Sequence, residues 1–127
     1  MDKKTVIQHL ISFLEEELAE IASGDESRRA EIESLLVMYR FLPARTYSAD
    51  EPIIPSSLVS LKIRDTLAYS FIAPRGGGFI TTINGVPLQV LTPQSPLGEA
   101  LLGKKSGDEV LVEVRGQTRN YLIVSSG

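Results

Sequence analysis

The sequence predicts an α+β chain in two parts. An N-terminal antiparallel helical hairpin (a short coiled coil) is followed by an antiparallel sheet domain crossed by one short helix. Three observations carry this. Apolar residues recur at three- and four-residue spacing through the first third of the 127 residues. Short β-branched runs, separated by turn residues, fill the second half. Between two of these runs lies Thr92–Val110, TPQSPLGEALLGKKSGDEV, which reads as a capped helix of about one and a half turns. A helix that short does not fold alone, so it must lie on the sheet around it.

The elements follow in order. Val6, Ile7, Leu10, Ile11, Leu14, Leu18 and Ile21 form one stripe of a helix from about Lys4 to Ala22. Its length is roughly 30 Å. Glu15, Glu16, Glu17 and Glu20 occupy much of the other face, and Ser23-Gly24-Asp25 breaks the pattern. A second stripe, Ile32, Leu35, Leu36, Tyr39 and Leu42, ends at Pro43. Residues 1–43 are therefore expected as the hairpin. Residues 44–57, with Pro52 and Pro55, have little periodicity and form a linker or an extended approach to the second domain. Residues 58–127 make the sheet domain. Candidate strands are Leu58–Ile63, Leu67–Ala73, Phe79–Ile83, Val86–Thr92, Glu109–Val114 and Asn120–Ser125. Asn84-Gly85 is a strong hairpin turn and Arg115-Gly116-Gln117 a further one. In the central stretch, Ser95 caps the short helix, Pro96 occupies its first position, and Gly103 is a left-handed stop.

Composition removes several classes of chemistry. The chain has no cysteine, which excludes disulfides and thiolate sites. His9 is the single histidine, so multi-His metal centres and His-paired nucleophiles are excluded too. No apolar run approaches the ~18 residues of a membrane span, and the N-terminus lacks the features of a signal peptide. No membrane contact is expected, and the expected location is cytoplasmic. The net charge is −3. Residues 1–50 carry ten acids against six Lys and Arg, and residues 51–127 carry six against seven. An acidic front half argues against direct, sequence-specific nucleic-acid binding and leaves room for a protein partner. Gly98 to Lys105 has the glycine and lysine spacing of a P-loop, but Lys105 stands where the metal-binding hydroxyl belongs. The Arg75-Gly76-Gly77-Gly78 run lies between strands and reads as a flexible connection or bulge.

Ser95-Pro96-Leu97-Gly98-x-Ala100-Leu101-Leu102-Gly103-Lys104-Lys105-x-Gly107-Asp108-x-Val110 resembles the signature of the C-terminal domain of the GreA/GreB transcription factors. With the flanking strands the resemblance runs from about Ser56 to Ser125. It implies an FKBP-like arrangement of the sheet domain, and a partner, RNA polymerase, contacted at the rim of its secondary channel. The matching loop here is Gln94, Ser95, Pro96 and Leu97.

The N-terminal part resembles a shortened, Rnk-like arm. In the family the arm's tip reads Gly-Asp-x-x-Glu-Asn-Ala-Glu-Tyr, and its acids help the polymerase hold a catalytic magnesium. Here Gly24, Asp25, Ala30 and Glu31 match, but Arg28 and Arg29 replace the Glu and the Asn. A guanidinium cannot ligate a cation. Glu26 is the nearest substitute for the missing acid.

The expectation is therefore an elongation regulator with no catalytic residues, metal or cofactor of its own, and without transcript-cleavage stimulation. One alternative is an active cleavage factor using Asp25 and Glu26. A distant one is an FKBP-like prolyl isomerase, for which the second domain offers Tyr69, Phe71, Phe79 and Tyr121. A monomer is expected, and a dimer through the hairpin stripe is the alternative.

Overall fold

Asp2 starts the first helix by accepting hydrogen bonds from the Thr5 backbone N–H at 3.3 Å and from its hydroxyl at 3.2 Å. The computed structural model describes every residue except Ala22, Ser23 and Ala49. The expected helix end at Ala22, and the Ser23 of the turn, lie outside the described residues. Two units result, Met1–Arg45 and Thr46–Gly127.

The first unit is the hairpin of α1 (Lys3–Glu20) and α2 (Glu26–Phe41). Val6, Ile7, Leu10 and Leu14 of α1, and Ile32, Leu35, Leu36 and Tyr39 of α2, are buried. Ile11, Leu18 and Ile21, at the flank and far end of the first stripe, are half-buried. Lys3 is also buried, and its ammonium donates to the Arg45 carbonyl at 2.9 Å.

Burial pushes the Tyr39 phenol up to about 12 from an ordinary value of 10.0. The folded state thus favours the protonated ring. Its contribution to stability is whole below pH 10.0 and is lost as the pH rises toward 12. Tyr39→Phe should flatten that alkaline decline. Thermal unfolding of both chains on either side of pH 10.0 checks this, and equal declines would contradict it.

The second unit is a six-stranded sheet in the order β3-β4-β2-β1-β6-β5. Its strands are β1 (Leu58–Ile63), β2 (Thr66–Ile72), β3 (Phe79–Ile83), β4 (Val86–Leu91), β5 (Glu109–Val114) and β6 (Gln117–Ser126). The short helix α3 (Pro96–Leu101) lies between β4 and β5 in the chain. Asn84 and Gly85 have φ of 51° and 80°, and Arg115 and Gly116 have 54° and 77°. Two consecutive left-handed residues give turns whose twist suits a two-residue hairpin.

The sheet is antiparallel except for one pair. β2 and β4 run parallel, Tyr69 opposite Leu88. The chain leaves β2, forms the outer strand β3, and returns by the Asn84-Gly85 hairpin, so β4 enters between them. Pro87 precedes the first β2 pairing and faces Thr82 of β3. A strand start tolerates its missing N–H.

The glycine run after β2 is a close approach as well as a connection. A Cβ on Gly77 would stand 2.8 Å from the Leu91 carbonyl carbon, and Gly78 donates to the Val90 carbonyl at 2.8 Å. Glycine is required because the backbone lies against the end of β4.

One face of the sheet, with α3, buries Val59, Leu61, Ile72, Leu91, Leu97, Leu101, Val110, Val112, Tyr121 and Ile123. Ile53 joins them at 1% exposure. Its N–H donates to the Lys104 carbonyl at 2.7 Å, and its own carbonyl accepts from Gly103 at 2.9 Å. Tyr47 is buried too, its hydroxyl 2.8 Å from that of Ser56. Tyr47, Ile53 and Ser56 thus belong with the sheet unit, which begins at Thr46.

Candidate functional site

Ser95 organises the corner that precedes α3. Its hydroxyl accepts from the Gly98 N–H at 3.1 Å and donates to the Thr92 carbonyl at 2.8 Å. Pro96 opens the helix without losing a hydrogen bond. Gly98 has no room for a side chain, because a Cβ would lie 2.0 Å from the Thr92 oxygen. Gly103, at φ 82°, then turns the chain toward β5. The result is a short stiff projection in which Gln94 and Pro96 are exposed and Ser95 is half-buried. Leu97, on the apolar face of the short helix, turns inward. It is 8% exposed and belongs to the core, anchoring the corner from beneath.

Beside Pro96 the same face of the sheet opens into a groove of about 620 Å³. Its lining includes the buried Leu61, Val112 and Tyr121, the half-buried Ala68 and the exposed Arg115 and Arg119. Of the four aromatic residues singled out for a pocket, only Tyr121 lines it. Its other parts escape sequence reading because they come from separate strands brought together by register. The available signal was the two-residue turn at Arg115-Gly116, which places both arginines at one end of a hairpin.

In the hairpin unit, the structure places Asp25, Glu26, Arg28 and Arg29 at the start of α2. The Asp25 carboxylate caps the helix by accepting from the Arg28 N–H at 3.2 Å. Arg28 turns back along the hairpin. Its guanidinium pairs with Glu17 of α1, with Nε 3.0 Å from Oε1, and with Glu31 at 2.9 Å. The hydrogen bond to Glu17, with the nearby negative charges, raises the Arg28 pKa further above its ordinary value. Asp25 and Glu26 remain exposed, and Arg29 is half-buried. No group of three acidic or histidine side chains that could hold a metal is present among the described residues. No helix among them is long and apolar enough to cross a membrane.

Comparisons with known proteins agree with this architecture. Residues 85–126 match the family of the transcription elongation factor GreA/GreB C-terminal domain. A solved structure of the transcription factor Gfh1 is similar with a TM-score of 0.50 and 20% identity, over 98% of this chain and 85% of that one. Gfh1 of Thermus aquaticus gives 0.48 and 17% identity over 98% and 86%. The GreA/GreB factor of Nitrosomonas europaea gives 0.43 and 19% over 94% and 92%. No curated protein matches the chain. At 20% identity the Gfh1 likeness describes a shared fold of helical hairpin and sheet domain. The matched segment runs from the Asn84-Gly85 turn through α3 to the end of β6. Over this segment, which holds α3 and its capped corner, the chain is similar to the C-terminal domain of the GreA/GreB transcription elongation factors.

Proposed function

We propose that this protein docks on RNA polymerase near the rim of the secondary channel, through the corner at Gln94 and Pro96, and regulates elongation without stimulating transcript cleavage. The observation that carries the reading is the match over residues 85–126, which includes the whole capped corner. Ser95 and Leu97 act by holding the corner's shape, and contact falls to the exposed Gln94 and Pro96.

Loss of cleavage stimulation rests on the hairpin tip. Arg28 and Arg29 stand where the family pattern has Glu and Asn, and neither supplies an oxygen ligand for magnesium. The first helix spans roughly 27 Å, at 1.5 Å per residue over its 18 residues. A hairpin of that length occupies a channel entrance in this reading. One observation favours the rival, an active cleavage factor. Because Arg28 is tied to Glu17 and Glu31, Asp25 and Glu26 are the exposed charges of the tip.

Two assays separate the readings. Core polymerase should retain the wild-type chain in a pull-down and lose it with Gln94→Arg/Pro96→Glu, a pair that leaves the Ser95 cap in place. Stalled, backtracked complexes should show no acceleration of transcript cleavage. Failure of the wild type to bind would overturn the docking reading. Strong cleavage stimulation that Asp25→Ala abolishes would establish the rival.

A further inference from the structure

We infer that the outer strand β3 is a self-association edge, which pairs with β3 of a second copy of this chain and joins the two sheets into one. The direction of the strand's hydrogen bonds is the first argument. The Val90 carbonyl faces β3, where it accepts from Gly78 at 2.8 Å. The Leu91 carbonyl points the other way and accepts from Ala73, just after β2, at 2.8 Å. Backbone groups alternate in direction along a strand, so Val86, Leu88 and Val90 bond to β3 through their partners Ile83, Thr81 and Phe79. The two-residue turn at Asn84-Gly85 requires the same phase. The N–H and C=O groups of Ile80 and Thr82 therefore point outward, and β3 ends the sheet order. Both residues are exposed, Ile80 by 69%. Neither makes a further hydrogen bond among the described residues.

Side chains supply the second argument and name the occupant. Edge strands of stable monomers carry charges or proline that discourage pairing. β3 is Phe79-Ile80-Thr81-Thr82-Ile83, five residues with no charge and no proline. Two copies paired antiparallel about Thr81 set Ile80 against the second copy's Thr82, and Thr82 against the second copy's Ile80. Each of these pairs exchanges both hydrogen bonds. Thr81 meets its twin on the axis and Phe79 faces the second copy's Ile83, threonine–threonine and aromatic–β-branched pairs that stabilise a sheet. A two-fold axis closes the arrangement, so it stops at a dimer. The opposite outer strand, β5, lacks this self-complementarity. Pairing two copies about Leu111 would set Glu109 of one against Glu113 of the other, like charges directly opposed.

Analytical ultracentrifugation of the intact protein from micromolar to millimolar concentration tests it, and a monomer–dimer equilibrium is expected. Amide hydrogen exchange should slow at Ile80 and Thr82 as concentration rises, and stay constant at Leu111 on β5. Ile80→Lys should weaken association about tenfold or more, because it removes an apolar pair and places two lysines diagonally across the axis. Ile80→Glu should do the same. An equimolar mixture of the two variants should regain association, since lysine then lies diagonally opposite glutamate. Thr82→Pro, which removes an outward N–H, should abolish the dimer while circular dichroism shows the fold retained. If that variant does not fold, the Ile80 variants and their mixture decide the matter. Leu111→Ser, on the opposite edge, should leave association unchanged. A monomer at every concentration would overturn the inference. So would dimers that survive Ile80→Lys, no recovery in the mixture, or exchange at Ile80 and Thr82 that ignores concentration.

Discussion

Gly98→Ala should destabilise the sheet domain by about 3 kcal/mol or more, by forcing overlap and breaking a helix cap together. The added methyl would sit 2.0 Å from the Thr92 oxygen and 2.7 Å from the Ser95 hydroxyl oxygen. Both atoms belong to the cap, so α3 cannot relax without losing the Ser95 bonds to Gly98 and Thr92. Leu97 and Leu101, which α3 inserts into the core, would move with it. Urea unfolding followed by circular dichroism measures the change. A loss below about 1 kcal/mol, the centre of the range for point substitutions in general, would show that the loop yields easily.

Ile53→Ala should cost about 2–5 kcal/mol, the range for a large aliphatic side chain deleted from a packed core. The residue lies in a stretch that sequence reading leaves between a linker and an extended approach. The outcome therefore decides which it is energetically. A free linker would tolerate the change within about 0.5 kcal/mol. The structure puts Ile53 at 1% exposure, between the backbone of Gly103 and Lys104 and the side chains of the core. The neighbouring Ile54 is 41% exposed, and Ile54→Ala is the matched control, expected to change stability little.

Much of the architecture is legible because its causes are local. The two helical stripes, the Asp25 break and the Pro43 stop depend on residues three or four apart, and each was recoverable without neighbours in space. The six strands fall within a few residues of their expected ranges, since alternation and turn chemistry travel together. Asn84-Gly85 and Ser95-Pro96 were legible for a sharper reason. Few residue pairs adopt two left-handed conformations in succession, or cap a helix and open it without an N–H.

What escaped depends on partners distant in sequence. Alternation is the same in a parallel pair as in an antiparallel one, so nothing in β2 or β4 announces that they run together. Gly77 reads as a flexible residue, yet it is needed because β4 passes too close for a side chain. Arg28 reads as a charge projecting from the tip, but a glutamate eleven residues earlier draws it back.

The sequence by itself determined the helical hairpin, the six-stranded domain, the capped corner at Ser95 and the family that corner resembles. Each rests on short-range steric and hydrogen-bonding preferences. Only the tertiary structure decided which corner residues face outward, that Ile53 is core, and that Arg115, Arg119 and Tyr121 share one groove. Those facts arise when strands far apart in the chain pair in register, because burial and proximity are properties of the packed fold.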